Sequence, residues 1–319
     1  MNYKSIQNEL KRQLFSRGFK KTGVKMHQYI KAIGFDEIRS KKEFISILKE
    51  VEENYSQLMA VSYTEKLEYC EMRKEYGQDI GIAVCGELDE EESFDMEYYF
   101  PYFEGSEVTL YSEIHMEKSI EKEQYFGVCE DSRLGINLIF YLQNGIEYLS
   151  QKPEHFHEHK AAISLSALSL TGMILLPVHK TETQIKIATE DSKNRRDLLT
   201  AARKGDQAAI ETLTLDDMNI YTNVSKRLEK EDVFTIVDSY FMPLGVECDV
   251  YSIMGEILAV RERENSVTHK KLYQMKLNVN ELVFDVCIPR ERLLGEPEIG
   301  RRFKGEIWLQ GRLDFSMFK

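Results

Sequence analysis

Residues 295–315, GEPEIGRRFKGEIWLQGRLDF, limit what this chain can fold into more than any other stretch. Phe303, Gly305, Ile307, Leu309, Gly311 and Leu313 share one parity, while Lys304, Glu306, Trp308, Gln310, Arg312 and Asp314 take the other. Such alternation predicts a half-buried β-strand, apolar and glycine-bearing inside, polar outside, with the chain's single tryptophan on the outer face. Gly305 and Gly311 on the inner face predict a bend or a close backbone approach, as at the corner of a small barrel.

Three short runs rich in β-branched and aromatic residues precede it: VYSIMGEILAVR (250–261), KLYQMKLNV (271–279) and LVFDVCIP (282–289). With polar turns between them, they predict a small antiparallel barrel or sandwich over 245–319, an OB-like arrangement being one candidate. A barrel of that kind specifies no function by itself.

Upstream, the pattern predicts an α+β domain over 26–189, an antiparallel sheet with flanking helices. MHQYIKAIGF reads as a helix ending near Gly34, and Ser40 with Glu43 forms a capping box for a helix over 41–54. Strand-like runs follow over 67–76, 80–88, 96–103, 108–116, 124–129 and 135–142, then a helix over 144–150. The uncharged segment 161–178 is near the length of a membrane span, but its serines, threonine, glycine and proline favour a buried strand or strand pair. A helical linker region over 190–244 comes next, with helices expected over 195–204, 207–213, 216–228 and 232–241. Residues 1–25 carry seven Lys or Arg against one Glu and form a basic extension, while Met26 opens a better-formed segment.

A formal net charge of -12 argues against broad affinity for nucleic acid or anionic membranes. Five widely spaced cysteines without a Cys-x-x-Cys suit reduced, mostly buried thiols, and no secretory signal opens the chain, so a cytoplasmic protein is expected. Neither phosphate-cradling glycine motif nor the Gly-x-Ser-x-Gly of serine hydrolases occurs, so no cofactor is expected. The acidic run over 87–97 lacks the Asp/Asn alternation of a calcium loop and reads as a solvated connection.

Three features could carry binding. His155, His157 and His159 would line one face of an extended segment and could hold zinc or nickel, the basis for a metal-dependent enzyme, although they lack the His-Glu-x-x-His spacing. Arg301, Arg302, Lys304 and Arg312 surround Trp308, as in a stacking platform for single-stranded nucleic acid; the reading that the acidic balance favours is that Glu296, Glu298, Glu306 and Asp314 neutralise them and Trp308 packs against the linker helices. Tyr240 and Phe241 open an apolar cluster, YFMPL, at a chain reversal, which plugs an interior interface or anchors a protein partner or a second copy. Taken together, these features favour a non-enzymatic binding, adaptor or regulatory protein.

The phrases MHQYIKAIGF, AARKGDQAAIETLTLDDM, EDVFTIVDSYFMPLGVECDVYSIMGEI and LLGEPEIGRRFKGEIWLQG carry a resemblance. Over about residues 26–315 the chain resembles a domain-of-unknown-function family of cytosolic proteins from clostridial-type Firmicutes. The resemblance implies a cytosolic location and supplies no catalytic residue.

Overall fold

The structure, a computed structural model, describes residues 25–62, 67–91, 93–120, 122–131, 133–151, 161–178, 182–245 and 249–315. It opens on a 3-10 turn, Gln28–Ile33, ended by Gly34 at φ +96°, a conformation suited to glycine. Helix α1 (Lys41–Glu53) starts where Ser40 Oγ accepts from Glu43 N at 3.1 Å, and it buries Phe44, Leu48 and Val51. Strands β1 (Gln57–Ser62), β2 (Leu67–Gly77), β3 (Ile80–Asp89) and β4 (Phe94–Phe103) then form a four-stranded antiparallel sheet in sequence order. Edge strand β1 lacks a clean burial alternation, which is why its sequence gave no strand signal.

The second sheet takes β5 (Leu110–Ser112), β6 (His115–Lys118), β7 (Tyr125–Asp131), β8 (Ile136–Leu142) and β9 (Ala161–Leu175), with helix α2 (Gly145–Ser150) between β8 and β9. After the helices α3 (Glu182–Arg203), α4 (Gln207–Leu228) and α5 (Val233–Ile236), it adds β10 (Tyr240–Pro243), β11 (Val250–Glu264), β12 (Lys271–Val279), β13 (Leu282–Pro289), β14 (Leu293–Leu294) and β15 (Arg302–Asp314). Its main order is β10-β11-β12-β13-β9-β15-β8-β7-β6, and β11 also pairs with β15, so the path of pairings returns on itself. Strand β9, from before the helices, runs between β13 and β15. The uncharged segment 161–178 is thus largely one strand, and among the described residues no helix is long and apolar enough to cross a membrane.

Two expected helices differ. The pair over 207–213 and 216–228 is one helix, α4, because no breaker separates the halves. The helix over 232–241 stops at Ile236, since Phe241 is drawn into strand pairing with Ile253 and packs beside Tyr251 and Phe284.

Strand β15 is buried on both faces through its centre, and Trp308 packs against segments other than the expected linker helices. Phe303, Ile307, Leu309 and Leu313 enter a core shared with β8, β9 and β11 to β13. Trp308, 4% exposed, enters a second core with α1, the 3-10 turn and the four-stranded sheet. Gln310 is also buried there; its amide donates to Pro101 O at 2.8 Å and its carbonyl accepts from Gln143 Nε2 at 2.9 Å. Beside it, the buried Arg73 joins the sheets by donating to Glu71, Glu104 and the Gln143 carbonyl.

Candidate functional site

Trp308 is the floor of the site. Its strand pairs Trp308 with Leu168 on one side and Val250 on the other, which fixes the ring between the two sheets. Asp249, just before β11, accepts the indole N–H at Oδ2, 2.6 Å away, and its backbone carbonyl accepts from Leu309 N at 2.8 Å. Tyr29 stacks on the indole at 5.4 Å between centroids, and His27 and Tyr141 lie at 4.5 and 5.2 Å. A side chain at Trp308 is therefore held by aromatic contacts and by a charge-assisted hydrogen bond.

The N-terminal segment closes one wall. His27 Nδ1 accepts from Tyr29 N at 3.4 Å, while the Tyr99 hydroxyl accepts from His27 N and donates to the Lys25 carbonyl at 3.0 Å. At the far end of the turn, Asn265 Nδ2 donates to Ile33 O at 2.7 Å. These bonds tie residues 25–33 to β4 and to the β11–β12 connection.

The opposite wall comes from a bulge. The register of β3 and β4 shifts between Cys85/Tyr98 and Gly86/Met96, leaving Glu97 as the extra residue. Met96, Glu97, Tyr98 and Tyr99 all reach one cavity as a result, although a regular strand would divide them between two faces. The cavity measures about 660 Å³ and its remaining walls include Lys122, Gln124 and Phe126. A smaller space of about 380 Å³ is also lined by Tyr29, with Leu170, Leu244 and Val250.

Burial, aided by the Lys122 charge, depresses the His27 pKa to about 4, so the imidazole is neutral at physiological pH. Burial pushes the Tyr98 and Tyr99 hydroxyls above their ordinary range and keeps them protonated. The groups facing the space can thus donate, accept and stack.

Of the residues singled out from sequence that lie among the described residues, only Trp308 lines this cavity. Arg301 donates to Glu296 O at 2.9 Å and pairs with Glu298 at 2.8 Å. Arg302 is buried and donates to the carbonyls of Leu176, Val237 and Phe234. Lys304 sits 5.5 Å over the Phe234 ring, and Arg312 binds Glu104 and Glu147. These cations do not converge on an open face of Trp308. Phe241 is buried in the other core, and the half-buried Tyr240 hydroxyl lies 3.3 Å from Ser252 Oγ. His155, His157 and His159 lie outside the described residues; among the described ones no group of three or more His, Cys, Asp or Glu could hold a metal.

His27, Tyr29, Tyr98, Tyr99, Tyr141 and Asp249 escape sequence reasoning because no fixed spacing connects them. A family model described as "Domain of unknown function, E. rectale Gene description (DUF3881)" matches residues 30–311. Neither the curated proteins nor the solved structures include a match to the chain.

Proposed function

The chain belongs to the DUF3881 family, whose function is unknown, and we propose that it is a non-enzymatic binding protein that takes a small organic ligand in the Trp308 cavity. One observation carries this reading: about 660 Å³ of space lies where seven aromatic rings and polar groups of both signs converge. That volume falls within the ordinary range of ligand pockets, roughly 300–1,000 Å³, which pair aromatic walls with a few placed polar groups. The lowered pKa of His27 and the protonated tyrosines favour recognition over catalysis. Equilibrium dialysis of the protein against a mixed metabolite library, read by mass spectrometry, tests it. At least one compound should be retained by the wild type and released by Gln124→Phe, which fills the space; retention of none, in a folded protein, overturns the reading.

A second reading, self-association, has its own support. Ile210, Met218, Tyr221 and Leu228 are exposed on one face of α4, spaced by eight, three and seven residues. Two α4 helices crossing antiparallel near Met218 would set Ile210 against Leu228 and Glu211 against Lys226 of a second copy, so shape and charge are both self-complementary. Light scattering should give a dimer for the wild type and a monomer for Met218→Glu; a monomeric wild type rejects this interface.

A further inference from the structure

Charge at the cavity is unevenly committed. Four ionic side chains line it: Glu97, Asp249, Lys25 and Lys122. Both carboxylates already accept hydrogen bonds, Glu97 from the Tyr69 hydroxyl and from Glu123 N at 3.2 Å, Asp249 from the Trp308 indole. Neither lysine forms an ion pair or a side-chain hydrogen bond among the described residues. The Lys122 charge is felt at the cavity's histidine, where it disfavours a second positive charge. The four formal charges sum to zero, but the carboxylates are turned to protein donors, so among the described residues the ionic groups left without a partner at the cavity are the two ammonium groups. Charges beyond about 8 Å are largely screened at physiological salt, so the distant acidic surface contributes little to the binding of a group held here.

The walls give the second half of the argument. Phe126 and His27 are only half-buried and line the space, and His27, being neutral, presents a ring instead of a cation. Trp308, Tyr29 and Tyr141 back them from below in mutual ring contact. A flat ligand body would meet aromatic surface there, and a group of opposite charge would meet two ammonium ions.

We infer that the ligand is a planar aromatic anion, a carboxylate or a phosphate monoester, with its ring against His27 and Phe126 and its charge at Lys122 and Lys25. This inference rests on the cavity reading above and narrows it to a chemical class. Arginine would be the usual choice for bidentate recognition; lysines act as point charges and accept either anion geometry.

Four probes of similar size separate the possibilities: phenylacetate, phenyl phosphate, phenylacetamide and phenethylamine. Binding is followed by titration calorimetry on the full chain and on Lys122→Gln and Lys25→Gln, whose circular dichroism should match the wild type because Lys25 is exposed and Lys122 only half-buried. An anionic probe should bind at least about tenfold tighter than phenylacetamide, and Lys122→Gln should remove most of that advantage, as loss of one charge-assisted hydrogen bond does. Preference for phenyl phosphate identifies a phosphate monoester as the source, and preference for phenylacetate a carboxylate. If phenylacetamide or phenethylamine binds as tightly as the anions, the anion inference fails while the cavity reading stands. If no probe binds, the anion inference also fails, and the metabolite dialysis decides the cavity reading separately.

Discussion

Trp308 Nε1 donates to Asp249 Oδ2 at 2.6 Å across 59 residues of sequence, and the bond sits where β11 begins its pairing with β15. It couples the floor of the cavity to the register of two strands. Asp249→Ala should leave a buried indole N–H without its acceptor, at a cost of about 1–3 kcal/mol. Asp249→Asn keeps an acceptor and should cost less. Urea denaturation of the two variants checks the order; equal midpoints for wild type and Asp249→Ala would refute it.

His27 supplies a pH dependence of definite sign. Its folded pKa of about 4 lies below the ordinary 6.5, so between those values the unfolded chain takes up a proton that the folded protein refuses. Stability from this group is full above pH 6.5, falls as pH drops towards 4, and levels off below that. At about 1.4 kcal/mol per pKa unit the whole window amounts to about 3 kcal/mol. His27→Gln should lose this component, so its stability difference from the wild type should change across that window; a constant offset from pH 7 to pH 4 would contradict the assignment.

Phe140 occupies a slot made by two glycines. A Cβ at Gly127 would lie 2.3 Å from the Phe140 ring, and one at Gly311 would lie 2.4 Å from it. Because the ring is fully buried it has little room to move, and Gly311→Ala should destabilise by about 1–3 kcal/mol, the range of overpacked cores. Adding Phe140→Leu should make the double variant less unstable than the two single losses summed, since the sites share one contact. Strict additivity in thermal melts would show that the slot does not exist.

Local signals in this chain carry further than distant ones. Ser40 and Glu43 announce α1, and the observed bond between them is the cap that their spacing implies. Gly34 marks the end of the first turn for the same reason: one residue's backbone preference decides it. The alternation over 303–314 locates β15 but misassigns its outer face, because polarity near the ends, at Lys304, Glu306 and Asp314, says nothing about what covers the middle. Trp308 and Gln310 are covered by the 3-10 turn and by β4, segments more than 200 residues earlier. The cavity is less legible still. Its aromatic residues come from five separate segments, and the available hints were a single tryptophan and an unusual number of tyrosines, 17, with no spacing to join them.

Being the chain's single tryptophan, Trp308 reports on the cavity it floors without any added label. The most direct test is its emission spectrum during titration with a compound retained in the metabolite dialysis. Intensity or wavelength should change saturably, with the same dissociation constant that calorimetry gives, and Gln124→Phe should abolish the change while keeping the wild-type fold. A ligand that binds stoichiometrically yet leaves Trp308 emission unaltered, or binds equally well to Gln124→Phe, would place binding elsewhere and contradict the account.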